Sequence, residues 1–449
     1  MSKTSEAIQS TIPKVPSGID GLDEITGGGL PAGRPTLICG GPGSGKTLVG
    51  LSFLINGARQ FGEPGVLISF EESTAELASD VASLGFDVPE LIAEGKLLVD
   101  YVHVDRSEIE ETGEYDLEGL FVRLEHAVRS VGAKRVVLDT VESLFGGLSN
   151  ESILRAELRR LLRWLKDRKL TTVITGERGT QALTRQGLEE YVTDAVILLD
   201  HRVRDELSTR RLRIVKYRGS FHGTNEYPFL IDRNGVSVLP VTALKLDHPA
   251  ATQRVSSGVP PLDEMLGGQG FYRGSTVLLS GTAGTGKTSL AASFADATCR
   301  RGERCVYFLL EESPQQMVRN MSSIGINLGQ WAERGLLNLQ AERPSRFGLE
   351  AHLAAMYRAV EELRPQAVVV DSITDLLALG GETEVRAMLT RLIDYLKTRG
   401  VTVLFSSLSP GTVELQETRA GISSLMDAWI LLSLERAGDE RRRQMSVLK

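Results

Sequence analysis

Gly40-Gly41-Pro42-Gly43-Ser44-Gly45-Lys46-Thr47 is the stretch that decides the fold, and Gly281-Thr282-Ala283-Gly284-Thr285-Gly286-Lys287-Thr288 repeats it in the second half of the chain. Both match the phosphate-loop pattern G-x-x-x-x-G-K-[ST], and each lies between an aliphatic run and a helical pattern. A glycine-rich turn in that position lets backbone N–H groups and a helix N-terminus converge on phosphate. Two copies in the same context predict two nucleotide sites.

Each residue of the loop has a predicted role. The lysines are expected to neutralise the β- and γ-phosphate oxygens, and Thr47 and Thr288 to hold Mg²⁺ through their hydroxyls. ATP and Mg²⁺ are therefore the expected cofactors. The predicted ATP contacts of the two loops are Gly43, Ser44, Gly45, Lys46, Thr47 and Leu48, and Gly284, Thr285, Gly286, Lys287, Thr288 and Ser289.

Two aspartates end aliphatic runs downstream of the loops. These runs are Val136-Val137-Leu138-Asp139 and Val368-Val369-Val370-Asp371. A carboxylate at the carboxyl edge of a parallel sheet, beside a phosphate loop, is placed to hold Mg²⁺ through water. Helix capping is the alternative role for such an aspartate, but the pairing with an upstream loop in both halves favours the metal.

Paired glutamates, Glu71-Glu72 and Glu311-Glu312, are predicted to close the strand that follows each phosphate-loop helix. A carboxylate there can orient or deprotonate the nucleophile that attacks the γ-phosphate, so all four are candidate catalytic residues. Glu311 is also a candidate metal ligand. Adjacent residues on a strand face opposite ways, so simple solvation is the alternative for one member of each pair.

The repeat extends well beyond the loops. Ser17-Gly18-Ile19-Asp20-Gly21-Leu22-Asp23-Glu24 returns as Ser257-Gly258-Val259-Pro260-Pro261-Leu262-Asp263-Glu264, and short aliphatic runs alternate with helical patterns in both halves. Continuous apolar strands between helices are typical of a mostly parallel sheet covered by helices on both faces. We expect two α/β domains, residues 1–240 and 241–449, with the second lacking the final hairpin and tail because Lys449 corresponds to Lys216.

The composition narrows the function classes. The chain has 449 residues, of which 51 are Lys or Arg and 58 are Asp or Glu, for a formal net charge of −7. That balance makes nucleic-acid binding an unlikely function, because phosphate neutralisation needs a surplus of cations. The three cysteines have no metal-ligand spacing, and no apolar run is long enough to cross a bilayer. A cytoplasmic protein without a membrane anchor is expected.

The tandem loops, the doubled Glu-Glu pair and the order of all these motifs resemble the KaiC family of circadian-clock ATPases and autokinases. The resemblance covers the chain from about Val15 to Lys449. It implies two RecA-like domains, a double-ring homohexamer with ATP at subunit interfaces, and a KaiB-like protein as a possible partner. A KaiA-like activator is doubtful, because it acts in the family through a C-terminal loop that this chain lacks.

The resemblance also implies roles for single residues. Glu71 and Glu72 match the hydrolytic carboxylates of the family's first ring, and Glu311 and Glu312 those of its kinase ring, where Glu311 would be the general base. Ser423 and Ser424 match the family's adjacent phospho-acceptors, and Thr418 matches its transient phosphate relay. From the residues alone, an ordinary loop or helix cap is the preferred interpretation of the serine pair.

A further set matches family positions around a nucleotide. Lys216 and Arg218 would reach the nucleotide of a neighbouring subunit, a role that suits cations acting in trans. A solvated surface strand is an equally good interpretation of these two residues from the sequence alone. The other predicted ATP-binding positions are Ser83, Tyr217, Ser220 and His222 in the first half and Arg443 and Lys449 in the second.

Three functions fit these observations. The leading hypothesis is a hexameric ATPase that phosphorylates its own serines, with autophosphatase activity as an open addition. Such a protein would act as a switch in clock or stress signalling, driven by nucleotide and phosphorylation state. The alternatives are a DNA-stimulated motor of the RecA/RadA type and a nucleotide-gated scaffold without kinase activity. The acidic balance and the lack of a basic-aromatic element count against the motor.

Overall fold

The computed structural model describes residues 12–102, 117–145, 151–179, 184, 193–204, 207–233, 235–240, 251–346, 348–409, 422–437 and 440–449. The chain divides into two compact units, Met1–Ala243 and Leu244–Lys449. Among the described residues, no helix combines the length and the apolar character needed to span a membrane.

The first unit alternates strands and helices along most of its length. Its strands are β1 Lys14–Val15, β2 Leu30–Pro31, β3 Pro35–Gly40, β4 Gly65–Ser69, β5 Leu97–Tyr101, β6 Arg135–Asp139, β7 Thr171–Glu177, β8 Ala195–Arg204, β9 Leu207–Tyr217, β10 Glu226–Asp232 and β11 Gly235–Val238. Its helices are α1 Leu22–Thr26, α2 Lys46–Gln60, α3 Thr74–Ala82, α4 Val88–Ala93, α5 Glu118–Val131 and α6 Glu151–Asp167, with a 3-10 helix at Val141–Phe145.

Nine of these strands form one sheet in the order β11-β10-β9-β8-β3-β7-β6-β4-β5. The run from β8 to β5 is parallel, and β9, β10 and β11 add antiparallel at one edge. β3, β4 and β6 are buried at every residue, as expected for strands covered on both faces. The carboxyl ends of β3, β4 and β6 therefore meet at one edge.

The second unit repeats this plan. Its strands are β12 Arg254–Val255, β13 Phe271–Tyr272, β14 Thr276–Gly281, β15 Cys305–Leu309, β16 Leu337–Ala341, β17 Ala367–Asp371, β18 Thr402–Leu408, β19 Ala428–Ala437 and β20 Glu440–Val447. Its helices are α7 Pro260–Met265, α8 Lys287–Arg300, α9 Pro314–Ser322, α10 Gly329–Glu333, α11 Leu349–Leu363 and α12 Glu382–Thr398, with 3-10 helices at Pro344–Arg346, Ile373–Ala378 and Ile422–Leu425.

The second sheet has seven strands in the order β16-β15-β17-β18-β14-β19-β20, and only the β19–β20 pair is antiparallel. This order matches the part of the first sheet that runs β5-β4-β6-β7-β3-β8-β9, with one strand of the second unit for each strand of the first. The predicted fold class is confirmed: each unit is an α/β domain with a mostly parallel sheet between helices.

The core of the first unit lies on both faces of its sheet. One buried cluster joins α2, α3 and α4 to side chains such as Leu67 and Val137, and a second joins α5 and α6 to Val66 and Leu138. Successive residues of a strand point to opposite faces, which is why neighbours in β4 and β6 belong to different clusters. This packing fixes the carboxyl ends of the central strands, where the predicted site residues lie.

Candidate functional site

The two phosphate loops have the same backbone. Gly43 and Gly45 have φ values of 68° and 97°, and Gly284 and Gly286 have values of 79° and 100°. Only glycine adopts such angles at little cost, so the loop can turn tightly enough to present its N–H groups. The helices α2 and α8 then start at the lysines, which directs their positive N-termini at the loops.

Each lysine of the loop lies over the carbonyls that precede it. Lys46 Nζ donates to the carbonyl oxygens of Gly40 and Gly41 at 3.0 and 3.2 Å. Lys287 Nζ donates to those of Gly281 and Thr282, both at 2.9 Å. Burial lowers the pKa of Lys287, although the Asp371 and Glu311 carboxylates act in the opposite direction. Both ammonium groups are thus held at the mouth of the loop, where phosphate oxygens would bind.

Asp139 and Asp371 end β6 and β17 at the same sheet edge. Asp139 is 6% exposed and accepts hydrogen bonds from Thr175 and Thr47. Burial raises its pKa. Asp371 accepts from Ser406 and, at 3.0 Å, from the Tyr307 hydroxyl. Carboxylate and hydroxyl oxygens are the donors that Mg²⁺ prefers, so the set of Thr47 with Asp139, and its counterpart of Thr288 with Asp371, fits that ion.

The glutamate pairs do not lie on a strand, which corrects the prediction that they close one. β4 ends at Ser69, and Glu71 and Glu72 follow in a bend that leads into α3. The Ser69 hydroxyl donates to the Glu72 carbonyl at 2.7 Å and accepts from its N–H at 3.1 Å. The alternation of a strand therefore does not separate the two side chains. The bend allows both to approach the same sheet edge.

In the first unit, hydroxyl groups hold Glu71. Its Oε1 accepts from Thr140 Oγ1 at 2.7 Å and from Ser143 Oγ at 3.0 Å. Burial raises the pKa of Glu72, and the negative charge of Asp139 adds to that effect. Glu71 is exposed and Glu72 half-buried. The first site therefore has one carboxylate fixed by two donors and one whose charged form is disfavoured.

In the second unit, Glu311 faces a carboxyl group instead. The protonated carboxyl of Glu311 can donate a hydrogen bond to Asp375, which raises the pKa of Glu311, and the charge of Asp375 and burial act in the same direction. Asp375 itself accepts from the Ser372 hydroxyl at 3.0 Å. The Oε2 atom of Glu312 is buried and has no hydrogen-bond partner among the described residues.

The predicted phospho-acceptors lie on the 3-10 helix Ile422–Leu425, directly before β19. Ser423 is half-buried and Ser424 is exposed. Arg386 of α12 donates to the Ser424 hydroxyl at 3.4 Å. Thr418, the predicted relay, lies outside the described residues. The two serines therefore occupy a short connection next to a cation.

The candidate residues for a neighbouring nucleotide lie along β9 and the turn after it. Lys216 Nζ donates to the Thr193 carbonyl at 2.7 Å, and Arg218 is exposed with its N–H on the Asp194 carbonyl. Tyr217 is buried and donates to the Gly29 carbonyl at 2.9 Å, so its ring faces the interior of its own unit.

The remaining predicted positions are at the ends of elements. Ser220 and His222 are half-buried in the turn after β9, and Ser83 is exposed at the end of α3. In the second unit, Arg443 of β20 donates to the carbonyl of Gly284 at 3.3 Å, which places it on its own phosphate loop. The Lys449 side chain is exposed.

The sequence interpretation missed several residues that contact the predicted ones. They are Thr140, Ser143 and Thr175 in the first unit and Tyr307, Asp375 and Ser406 in the second. Thr140 directly follows Asp139, Ser143 lies four residues after Asp139, and Asp375 lies four residues after Asp371, so proximity along the chain was an available signal for these three. Thr175, Tyr307 and Ser406 reach the site from other strands.

The chain is similar to known proteins along nearly its whole length. A sequence model of the KaiC ATPase matches residues 15–243 and 255–449. The circadian clock protein KaiC2 of Synechocystis sp. is 53% identical over 99% of this chain and 79% of its own length. The circadian clock oscillator protein KaiC of Parathermosynechococcus lividus is 36% identical over 98% of this chain and 81% of its own. KaiC 1 of Synechocystis sp. is 36% identical over 98% of this chain and 85% of its own.

Proposed function

The chain belongs to the KaiC family of ATPases, and from that membership we propose that it is a Mg²⁺-dependent homohexamer whose second unit also phosphorylates Ser423 and Ser424. The first unit hydrolyses ATP in this proposal. Nucleotide and phosphorylation state together then switch the protein between forms that partners distinguish, in clock or stress signalling. The observation that carries the proposal is the duplicated site, in which one phosphate loop is combined with two different carboxylate environments.

Binding uses the same groups in both units. The loop N–H groups and the helix N-terminus hold the β-phosphate, and Lys46 or Lys287 shifts from loop carbonyls to phosphate oxygens. Thr47 with Asp139, and Thr288 with Asp371 and Glu311, would hold Mg²⁺, which when bound neutralises charge on the β- and γ-phosphates. The half-buried position of the lysines strengthens these charge interactions relative to those in water.

Hydrolysis is assigned to the first unit. Glu71 and Glu72 lie where they can orient a water molecule and accept its proton as its oxygen attacks the γ-phosphorus. The bond from that phosphorus to the β–γ bridging oxygen breaks, and ADP leaves. Thr140 and Ser143 fix the Glu71 carboxylate and so limit its side-chain freedom. A fixed carboxylate costs less reorganisation when the reaction begins.

Phosphate transfer to serine is assigned to the second unit. Counting back from the matching residues Asp194 and Asp427, the serine pair Ser423-Ser424 takes the place of Glu190 and Tyr191 in the first unit. Glu311 would take the proton of the attacking serine hydroxyl, and the γ-phosphorus then bonds to that oxygen as ADP leaves. Glu312 would complete the carboxylate pair.

A hexamer with nucleotide at its subunit interfaces explains the exposed cations. Arg218 is exposed directly after the end of β9, and Lys216 lies two residues before it, within the strand. In a ring, both can meet the phosphates bound by the next subunit, with Ser83, Ser220 and His222 around that nucleotide. Arg443 and Lys449 would line the second-ring site. Cations supplied in trans couple hydrolysis to assembly.

The test is intact-mass measurement with phosphosite mapping after incubation with Mg-ATP. We expect phosphate on Ser423 and Ser424 in the wild type and none in Glu311→Gln. The matched control is Glu71→Gln, which should lower hydrolysis but leave the second-unit acceptors phosphorylated. If both serines stay unmodified while ATP is turned over, the kinase assignment fails.

Two measurements separate the alternatives. Strong stimulation of ATP turnover by single-stranded DNA would favour a RecA/RadA-type motor over the switch. Slow turnover without phosphoserine, together with partner binding that depends on nucleotide, would favour a scaffold. A KaiB-like protein is the first partner to test.

A further inference from the structure

A cavity of about 610 Å³ lies in the first unit at the amino ends of β3, β6 and β7. This is the sheet edge opposite the phosphate loop, which follows the carboxyl end of β3. Four cations line the cavity, namely Arg34, Lys134, Lys166 and Lys169. From this geometry we propose that the cavity binds a multivalent phosphate anion, at a site separate from either nucleotide.

The backbone brings these cations together. Thr171 N–H donates to the Lys134 carbonyl at 3.1 Å, and Thr172 N–H donates to the Arg34 carbonyl at 3.3 Å. A Cβ added to Gly33 would lie 3.2 Å from the Lys169 Cα, so the Gly33 turn packs directly on Lys169. The cations are therefore attached to neighbouring strand starts of a rigid sheet.

The positive charge is only partly balanced. Asp194 pairs with both Lys166 at 2.6 Å and Arg34 at 3.4 Å. Glu63, the carboxylate among the lining residues, is already paired with the buried Arg135 at 2.7 Å. Lys134 and Lys169 are exposed, and no described residue gives either ammonium group a hydrogen bond or ion pair. Two uncompensated ammonium groups beside an open cavity attract a multivalent anion.

The second unit shows that the fold does not require the charge at three of these four positions, since only Lys166 has a cationic counterpart, Lys397, which pairs with Asp427 at 2.9 Å. There Gly274 and Thr402 repeat the contact of Gly33 with Thr171, at 2.9 Å against 3.0 Å. The residues in place of Arg34, Lys134 and Lys169 are Ser275, Gln366 and Gly400, as the same hydrogen bonds identify them.

The two units differ at one more position of this edge. Ala32 of the first unit corresponds to Arg273, whose guanidinium bonds Glu303 at 2.5 Å. An ion pair in the second unit thus stands where the first unit has a small side chain. Both units end their helices at this edge, so compensation of helix dipoles cannot by itself account for four cations.

The lining also points to the ligand class. Lysine ammonium groups and one guanidinium fork suit phosphate oxygens, and the other walls include the small or aliphatic residues Pro13, Val15 and Ala32 without an aromatic ring. A phosphate chain would be recognised by charge, whereas a base would find no ring to stack on. Free polyphosphate and the phosphate tail of a nucleotide share this chemistry.

The test is calorimetric titration of the hexamer with inorganic tripolyphosphate while a non-hydrolysable ATP analogue and Mg²⁺ saturate the phosphate loops. The test variant, Lys134→Gln/Lys169→Gly, carries the residues of the second unit. Lys169 has φ of 55° and Gly400 has 66°, so glycine fits this backbone. We expect about one site per subunit in the wild type and a loss of roughly tenfold or more in affinity in the variant.

The control variant is Arg129→Gln/Arg160→Gln, which removes the same charge from α5 and α6 outside the cavity lining and should bind as the wild type does. A parallel titration with a nucleoside triphosphate identifies the source: equal affinity supports a bare phosphate chain, and tighter binding supports a nucleotide tail. The proposal is overturned if the wild type does not bind, if the test variant binds equally well, if the control loses as much affinity, or if a polyglutamate peptide binds in place of tripolyphosphate. Single Lys169→Gly serves if the double variant does not fold.

Discussion

The two units share a phosphate loop but surround it differently. In the first, Ile231 of β10 lies within 2.6 Å of a Cβ placed on Gly45, whereas in the second Arg443 of β20 donates to the Gly284 carbonyl. Glu71 accepts hydrogen bonds from two hydroxyl groups, whereas Glu311 lies next to the carboxyl group of Asp375. The duplicated chain has kept the phosphate loop and has varied the groups around the glutamates to which we assign the chemistry. Binding is therefore common to both units, and the difference in chemistry lies around the glutamates.

The largest test of this comparison removes one loop lysine at a time. Lys46→Ala should reduce hydrolysis by about 10²-fold or more, because a charge-assisted contact to the reacting phosphate is lost. Lys287→Ala should abolish phosphoserine while leaving first-unit hydrolysis largely intact. Turnover and phosphosite mapping on the same samples check both expectations.

Arginine is the matched control at these two positions. Lys46→Arg and Lys287→Arg keep the positive charge but change its shape, so each should retain part of the activity that alanine abolishes. If Lys46→Ala and Lys287→Ala gave the same phosphorylation and the same turnover, the two units would not be separate sites, and the comparison would break.

A second test concerns stability, where the units differ in their cores. Arg135 of β6 has a side chain that is 0% exposed, and it donates to Glu63 at 2.7 Å, to the Phe53 carbonyl at 2.8 Å and to the Pro16 carbonyl at 2.9 Å. We expect Arg135→Ala to lower the free energy of unfolding of the first unit by about 3 kcal/mol, because two buried carbonyl groups lose their donor.

The second unit suggests a compensating substitution for the loss of Arg135. Arg135 corresponds to Ala367, and Gly57, against which the Arg135 side chain packs, corresponds to Thr298. Gly57→Thr/Arg135→Ala should therefore recover part of the stability, whereas Gly57→Thr alone should be destabilising because it collides with Arg135. Hydrogen exchange of peptides from β3, β6 and β7 follows the first unit alone. Equal exchange rates in all three variants would show that Arg135 does not stabilise the core of the first unit.

Much of this architecture could be predicted from the sequence. The register-matched loops and aspartates identify two copies of one α/β unit, because apolar strands of similar length recur at similar intervals around them. The environment of the glutamates could not be predicted. Thr140 and Asp375 reach Glu71 and Glu311 only after β4 and β6, or β15 and β17, have paired. The bend that removes the glutamates from the strand depends on the start of α3, which strand alternation does not reveal.

The third test uses pH. A general base acts in its ionised form, and the pKa of Glu311 is raised by Asp375. Phosphate transfer should therefore decline with falling pH at a value above the ordinary pKa of a glutamate. Asp375→Asn removes the neighbouring carboxyl group and its charge, so it should shift this acid limb to lower pH.

The rate of phosphoserine formation between about pH 5 and 8 measures this shift. Ser372→Ala is the control for a simple packing defect, because Ser372 contacts Asp375 but contributes no charge; it should leave the limb close to its wild-type position. An unchanged limb in Asp375→Asn would show that Asp375 does not set the ionisation of Glu311.

The smallest expected effect lies at the helix caps that follow the glutamates. Ser73 and Glu76 form a reciprocal cap at the start of α3, and Ser313 and Gln316 form the same cap on α9. Ser73→Ala and Ser313→Ala should each cost about 1 kcal/mol of local stability, which hydrogen exchange of the two helices measures. The pKa of Glu76 is lowered by its hydrogen bonds from Ser73. The ionised Glu76 side chain therefore stabilises the cap of α3 at neutral pH, and this stabilisation is lost as pH falls through the lowered pKa. Gln316, at the same place in the cap of α9, does not titrate. Acid should weaken the cap of α3 and leave that of α9 unchanged. If both caps respond alike, their difference in charge has no consequence for the turn that carries the proposed catalytic carboxylates.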